Sequence, residues 1–221
     1  MKKIRIIQYG NIPYKINYKK ILSFKSSAFE IVGEVEKFNL PNIRNGYDYS
    51  TYPDACWSKI VKIDPNVDFT LVITYCFLEC NHYSRQINKR LTVFTLKPIV
   101  GFLTDACIPL ENAILKMLYA CALYYPTDEI CHNETRGCLY DMNGHIPDLV
   151  ISYSSPKLCV ECENRLSHSG VSITTLKKVK KELNKLRKPF WGEIYVWARK
   201  HPFVMFIAGS VFSAVLDKII F

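Results

Sequence analysis

The 221-residue sequence predicts an α/β (α+β) fold, a mixed sheet with packed helices. Residues 68–75 form an almost continuous apolar run, as in a strand that is buried on both faces. Apolar residues recur at helical spacing in residues 109–125 and occupy almost every face of that helix, which predicts a central buried helix. Helices that alternate with such strands are typical of a sheet covered by helices.

Shorter segments complete the predicted elements. β-branched and alternating patterns predict strands at residues 3–8, 31–40 and 91–100, the last broken at Pro98. Apolar spacing predicts helices within residues 14–30 and at 54–63, with a loop at 41–53 between them. Residues 126–162 are irregular, and residues 171–186 predict a basic amphipathic helix. Its apolar stripe fits either a short coiled coil or packing against the domain.

Composition and charge exclude some classes of protein. Hydrophobic residues make up 49% of the chain and charged residues 22%, which favours a packed core over disorder. The net charge is +9, and residues 167–201 carry nine Lys and Arg against two Glu. A uniformly basic surface would favour nucleic acid, whereas a basic block beside an apolar terminus favours a membrane surface. Nucleic-acid binding through the basic helix stays open as an alternative function.

The nine cysteines predict a metal site. The opening residues lack a secretory signal, so we expect reduced thiols. Cys159 and Cys162 form a CxxC pair, the spacing with which two thiolates bind one tetrahedral zinc ion. Cys138 and His132 complete a predicted closed set of ligands, with Cys131 as the alternative to His132. We therefore expect one structural zinc ion per chain.

Other interpretations of this region remain open. The CxxC spacing could be coincidental, with Cys138 as a buried core residue. A redox role for CxxC would need a thioredoxin-like context that the sequence lacks. His145 is expected in a turn, with replacement of one zinc ligand as the alternative. Asp141 and Asp148 are expected to be solvated or to cap turns, although paired carboxylates can also perform acid-base catalysis.

The cysteine region resembles the archaemetzincin-type zincins. The resemblance rests on Cys-His-Asn-Glu-Thr-Arg-Gly-Cys-Leu-Tyr-Asp-Met at 131–142, on Asp148, and on Leu-Cys-Val-Glu-Cys-Glu-Asn-Arg-Leu at 158–166. It implies a zincin fold over roughly residues 3–166. In that family four cysteines hold a structural zinc beside a catalytic zinc, which is bound by an HExxH helix and a third histidine.

The sequence departs from that family at the catalytic helix. Residues 113–123 contain no histidine, and Glu111 lies only at the start of the predicted helix. Two histidines at i and i+4 place two imidazoles on one zinc ion, and the glutamate between them activates water. The resemblance therefore implies a structural zinc without peptidase activity. A metallopeptidase-related enzyme with an unrecognised site is the alternative, and no motif for a small-molecule substrate is present.

The carboxy-terminal residues predict a membrane anchor. Residues 203–216 carry no charge, so 202–221 are long enough for a transmembrane or membrane-inserted helix. Trp191, Tyr195 and Trp197 precede it, as aromatic residues do at a membrane interface. The basic block predicts a single-pass topology with the amino-terminal domain in the cytoplasm. The alternative is a terminal helix that docks on the domain's own core.

These observations predict three segments. Residues 1–166 form a zincin-like domain with a structural zinc site, 167–201 a basic amphipathic linker helix, and 202–221 the membrane helix. The predicted function is that of a membrane-anchored, catalytically inactive zinc-binding protein that acts by interaction, as a sensor or effector. Small residues at 208–210 and 213–214 would let two such helices approach closely, so a homo-oligomer or protein partner is expected.

Overall fold

The computed structural model describes residues 1–41, 51–123, 131 and 133–207. Their strands are β1 (Lys2–Tyr9), β2 (Phe29–Ile31), β3 (Glu36–Phe38), β4 (Thr51–Tyr52), β5 (Phe69–Thr74), β6 (Phe77–Leu78), β7 (Ser84–Asn88) and β8 (Leu91–Thr95). Their helices are α1 (Tyr18–Leu22), α2 (Asp54–Ile60), α3 (Val100–Asp105), α4 (Leu110–Leu123), α5 (Leu149–Ser154), α6 (Val160–His168), α7 (Ile173–Leu183) and α8 (Phe190–Lys200). The mixed α/β class predicted from the sequence is confirmed.

The main sheet is six-stranded and mixed. Its strands follow the order β2-β1-β5-β8-β7, and β3 also pairs with β1. All pairs are parallel except that of β7 with β8, which is antiparallel and places β7 at one edge. Every residue of β5 is buried, as its apolar run predicts. The sequence analysis missed β7 because Ser84, Arg85, Gln86 and Asn88 give it no apolar pattern.

Both faces of the sheet are covered. Alternate residues of β1 point to opposite sides, so Ile4 and Ile6 join the larger core while Ile7 and Tyr9 join a smaller one. The smaller core is closed by Trp57 of α2, which is fully buried. The larger core lies under α4 and extends to the cysteine region. The result is a layered α/β arrangement with the candidate site on the larger-core side.

The predicted central helix is confirmed. Ten of the 14 residues of α4 are buried, including the polar residues Asn112 and Lys116. Asn112 donates hydrogen bonds to the backbone carbonyls of Leu186 and Arg187. Lys116 is 3% exposed, and its charged end is therefore held inside the protein.

Two predicted strands are shorter than expected. The predicted strand at 31–40 is replaced by β2 and β3, separated at Gly33, whose φ of +73° suits glycine. The predicted strand at 91–100 ends at Thr95, and the chain then turns into α3. In that turn the Ile99 amide donates to the Leu96 carbonyl, a local bond that ends the ladder.

The basic helix packs on the domain. Its four predicted apolar residues are all buried in the larger core: Leu176, Val179, Leu183 and Leu186. Glu182 accepts hydrogen bonds from the Tyr119 hydroxyl, at 2.6 Å, and from the Ser27 amide, at 3.1 Å. Of the two predicted arrangements, the structure has packing against the domain. The core therefore continues through residue 186.

The segment that follows is exposed and aromatic. Phe190, Trp191 and Tyr195 of α8 are 58–76% exposed. Residues 202–207 are again helical, after a break at His201, where the residue before Pro202 adopts φ −126° and ψ 60°. Most of the predicted membrane helix, residues 208–221, lies outside the described residues. Within the described ranges, no helix combines the length and the hydropathy that a bilayer crossing requires.

Candidate metal centre

A backbone pairing brings Cys138 to the CxxC segment. Cys138 and Lys157 form an isolated parallel bridge, in which the Leu139 amide donates to the Lys157 carbonyl at 2.7 Å. The Lys157 amide donates to the Gly137 carbonyl at 3.0 Å. Gly137 has a φ of +77°, a conformation that side chains other than glycine rarely adopt. The bridge thereby ties the loop after α4 to the chain just before α6.

The CxxC pair lies at the start of α6. Cys159 is the N-cap residue, and Cys162 lies in the first turn. The Cys159 amide donates to the Cys138 sulfur, and the Cys162 amide donates to the Cys159 sulfur, both at 3.5 Å. A helix N-terminus favours thiolates because the amide dipoles point toward them. Local structure thus arranges three sulfur atoms around one point.

The three sulfur atoms of Cys138, Cys159 and Cys162 lie within 4.8 Å of one another. Tetrahedral zinc with Zn–S bonds of about 2.3 Å would place its sulfurs about 3.8 Å apart. Cys138 and Cys162 are fully buried, and Cys159 is partly buried. The donor set fits zinc, which thiolates bind in closed structural sites.

The electrostatics of the cluster favour a bound cation. The pKa of the Cys162 thiol is raised because it hydrogen-bonds to the Cys138 sulfur, because it is buried, and because Cys159 lies beside it. The raised pKa keeps the proton on the Cys162 sulfur unless a cation replaces it. Zinc lowers the pKa of a coordinating thiol enough to deprotonate it. Metal binding here would therefore be coupled to proton release.

Asp141 supports the loop that carries Cys138. Its Oδ2 accepts from the amides of Cys138, at 2.8 Å, and Arg136, at 3.1 Å, and lies 2.5 Å from the Ser152 hydroxyl. Asp141 is 4% exposed, so of its two expected roles that of a solvated carboxylate is wrong, and the structure has a carboxylate that caps a turn. The aspartate three residues after a cysteine is the signal that could have indicated this turn. Asp148, by contrast, is half-exposed and lies 3.4 Å from His145.

The structure places the other predicted ligands as follows. His132 lies outside the described residues, so its place as a ligand stays a prediction. Cys131 is exposed, lines a neighbouring cavity and is not part of the three-sulfur group. His145 is exposed beside Asp148 and is also outside that group. Within the described part of the chain, the group contains three donors, and the fourth remains to be assigned.

Comparison with solved protein structures identifies a similar fold. The crystal structure of archaemetzincin from Methanopyrus kandleri matches 76% of this chain and 94% of that one, with a TM-score of 0.50 and 14% identity. This chain has an archaemetzincin-like fold. The archaemetzincin of Archaeoglobus fulgidus gives a TM-score of 0.46 and 12% identity over 74% and 99% of the two chains. No family model and no curated protein matches the sequence.

The archaemetzincin-like fold confirms the resemblance first detected in the cysteine region. At 14% identity the likeness shows the fold alone, so the chemistry has to be inferred from the residues of this chain. Those residues place three cysteine sulfurs together and put no histidine on α4. The chain thus combines an archaemetzincin-like fold with a candidate metal centre of three cysteine sulfurs.

We expect Asp141→Ala to lower the free energy of unfolding by about 2 kcal/mol or more, because it leaves two amides without their acceptor in a buried site, whereas the Ser152 hydroxyl keeps Asn143 Oδ1 as its acceptor. Urea unfolding of the full chain measures this change. Asp148→Ala is the matched control and should cost less than about 0.5 kcal/mol, since that carboxylate is half-exposed. Equal losses in the two variants would contradict the supporting role of Asp141.

Proposed function

We propose that this chain is a membrane-anchored, catalytically inactive zinc-binding protein of archaemetzincin-like fold that acts by interaction. The observation that carries the proposal is the group of three cysteine sulfurs within 4.8 Å. We propose that Cys138, Cys159 and Cys162 hold one zinc ion per chain, with His132 or Cys131 as the fourth ligand. That zinc is structural, because a closed set of four protein ligands leaves no position for substrate.

The absence of peptidase chemistry is supported by α4. Zincin catalysis needs two imidazoles one helical turn apart and a glutamate between them. The helix that occupies this place in the sequence carries no histidine, and its acidic residue, Glu111, accepts a hydrogen bond from the Asn17 amide instead. A scaffold of this kind serves better as a sensor or effector that binds a partner than as a hydrolase.

The membrane anchor is supported by charge and exposure. The four lysines of α7 are all exposed and form a basic surface before the aromatic α8: Lys177, Lys178, Lys180, which pairs with Glu163, and Lys181. Phe203 and Phe206 in the following helical residues are 73% and 72% exposed. Basic and aromatic residues next to an apolar segment are typical of chains held at a membrane with their basic side in the cytoplasm.

We expect the full chain to bind one zinc ion, measured by elemental analysis after removal of loosely bound metal. Cys159→Ser and Cys162→Ser should each lose that zinc, because a hydroxyl does not replace a thiolate ligand. Cys80→Ser is the matched control, since Cys80 is exposed and outside the three-sulfur group. A second, exchangeable zinc ion, or retention of zinc in both variants, would contradict the proposed structural site.

We expect the full chain to sediment with membranes after expression, and a version ending at Lys200 to remain in the soluble fraction. The apolar carboxy-terminal segment supplies the membrane affinity, and the last described residue of the larger core is Leu186, which the shorter version keeps. Circular dichroism of the two proteins should be similar, which controls for misfolding of the shorter one. Equal solubility of the two would contradict the anchor.

A further inference from the structure

A cavity of about 800 Å³ lies between the edge strand β7 and the helix α4. Lys116, Met117 and Ala120 of α4 form one wall, and the segment around Tyr83 forms the other. His82 and Lys89 are exposed at its rim, so it opens to solvent. The sulfurs of Cys138, Cys159 and Cys162 are not among its described lining residues. The cavity borders the candidate metal centre, since Leu139 and Asp141 line it together with Cys131, the alternative fourth ligand.

Lys116 brings a buried positive charge to this cavity. Its ammonium lies 3.9 Å from the centroid of the Tyr153 ring, a close cation–π contact. Among the described residues, no carboxylate oxygen lies within 4.0 Å of it, and no hydrogen bond is made to it. Burial lowers the pKa of Lys116 to about 8, although the nearby Asp141, Cys138 and Cys131 act in the opposite direction. Its ammonium makes no ion pair within 4.0 Å with a described residue, so an anion that enters the cavity can bind it directly.

Tyr153 adds a second donor. The residue is 2% exposed, and its hydroxyl has no hydrogen-bond partner in the described part of the chain. Burial raises the pKa of Tyr153 well above its ordinary value, so the hydroxyl keeps its proton and can donate. An orphaned buried donor costs free energy unless water or a ligand accepts from it. The Tyr153 hydroxyl belongs to the same ring that Lys116 contacts.

The remaining lining selects the type of anion. Lys2, Lys89 and Lys116 outnumber the acidic lining residues Asp68 and Asp141, and Arg85 is held by Asp54. Apolar lining comes from Phe69, Met117, Leu139 and Met142. A carboxylate with an apolar body fits this combination, because a monoanion loses less hydration than a phosphate dianion on entering a partly apolar cavity.

We propose that this cavity binds a small organic carboxylate, whose oxygens accept hydrogen bonds from the Lys116 ammonium and the Tyr153 hydroxyl. The apolar body of the ligand lies against Met117 and Leu139. Neither donor belongs to the three-sulfur group, so the carboxylate would be held by side chains that are not themselves proposed as zinc ligands. If the chain acts as a sensor, this carboxylate is the ligand that it detects.

The test is calorimetric titration of the full chain with benzoate, benzamide, acetate and inorganic phosphate. Benzoate is expected to bind most tightly, since it has both the carboxylate and an apolar body. Benzamide, its neutral analogue, is expected to bind at least about tenfold more weakly, because it lacks the charge that strengthens hydrogen bonds to an ammonium. Acetate and phosphate should also bind more weakly. Equal binding of benzoate and benzamide, no binding of benzoate, or tighter binding of phosphate would overturn the proposal.

Variants of the two donors locate the site. Lys116→Met keeps a similar side-chain volume and should weaken benzoate binding at least about tenfold, while Tyr153→Phe should weaken it by about threefold to tenfold. Lys185→Met is the matched control, because Lys185 is exposed and outside the cavity, and it should bind as the parent does. Benzoate should also slow acylation of Lys116 in the unaltered chain, measured by peptide mass spectrometry. Parent-like affinity in Lys116→Met, or no protection of Lys116, would contradict the site.

Discussion

The backbone pairing of Cys138 with Lys157 is the contact on which the rest of the candidate metal centre depends. It joins a loop that follows α4 to the segment just before α6. Asp141 fixes the loop from one side by accepting from the Cys138 amide, and the N-cap position of Cys159 fixes the other. A bound zinc ion would complete this arrangement, because three buried or half-buried sulfurs alone repel as thiolates and pack poorly as thiols.

The central helix α4 shows how this chain can have an archaemetzincin-like fold without a histidine on that helix. In α4 almost every face is buried, so its residues are chosen first for packing against β1, β2 and β5. This helix carries no histidine, and the ammonium of its buried Lys116 lies above the Tyr153 ring. An archaemetzincin-like fold is thus compatible with a central helix whose buried polar residues include a lysine.

Sequence reasoning succeeded where a segment is governed by its own pattern. The apolar run of β5, the helix α4 and the apolar face of α7 each bury the residues that their spacing predicts. It failed where the tertiary environment decides. The edge strand β7 is polar and pairs on one side only, and Asp141 is buried because a loop folds over it. In the candidate metal centre, the spacing of the cysteines was enough to predict the CxxC pair and Cys138. The pairing of the Lys157 backbone could not be predicted, because it involves no side chain.

X-ray absorption at the zinc K edge of the purified full chain tests the central claim most directly. The account predicts a zinc shell dominated by sulfur at about 2.3 Å, with three or four sulfur ligands and at most one nitrogen. Such a shell would match Cys138, Cys159 and Cys162 with Cys131 or His132 as the fourth ligand. A shell of nitrogen and oxygen at about 2.0 Å, or a chain that holds no zinc, would contradict it.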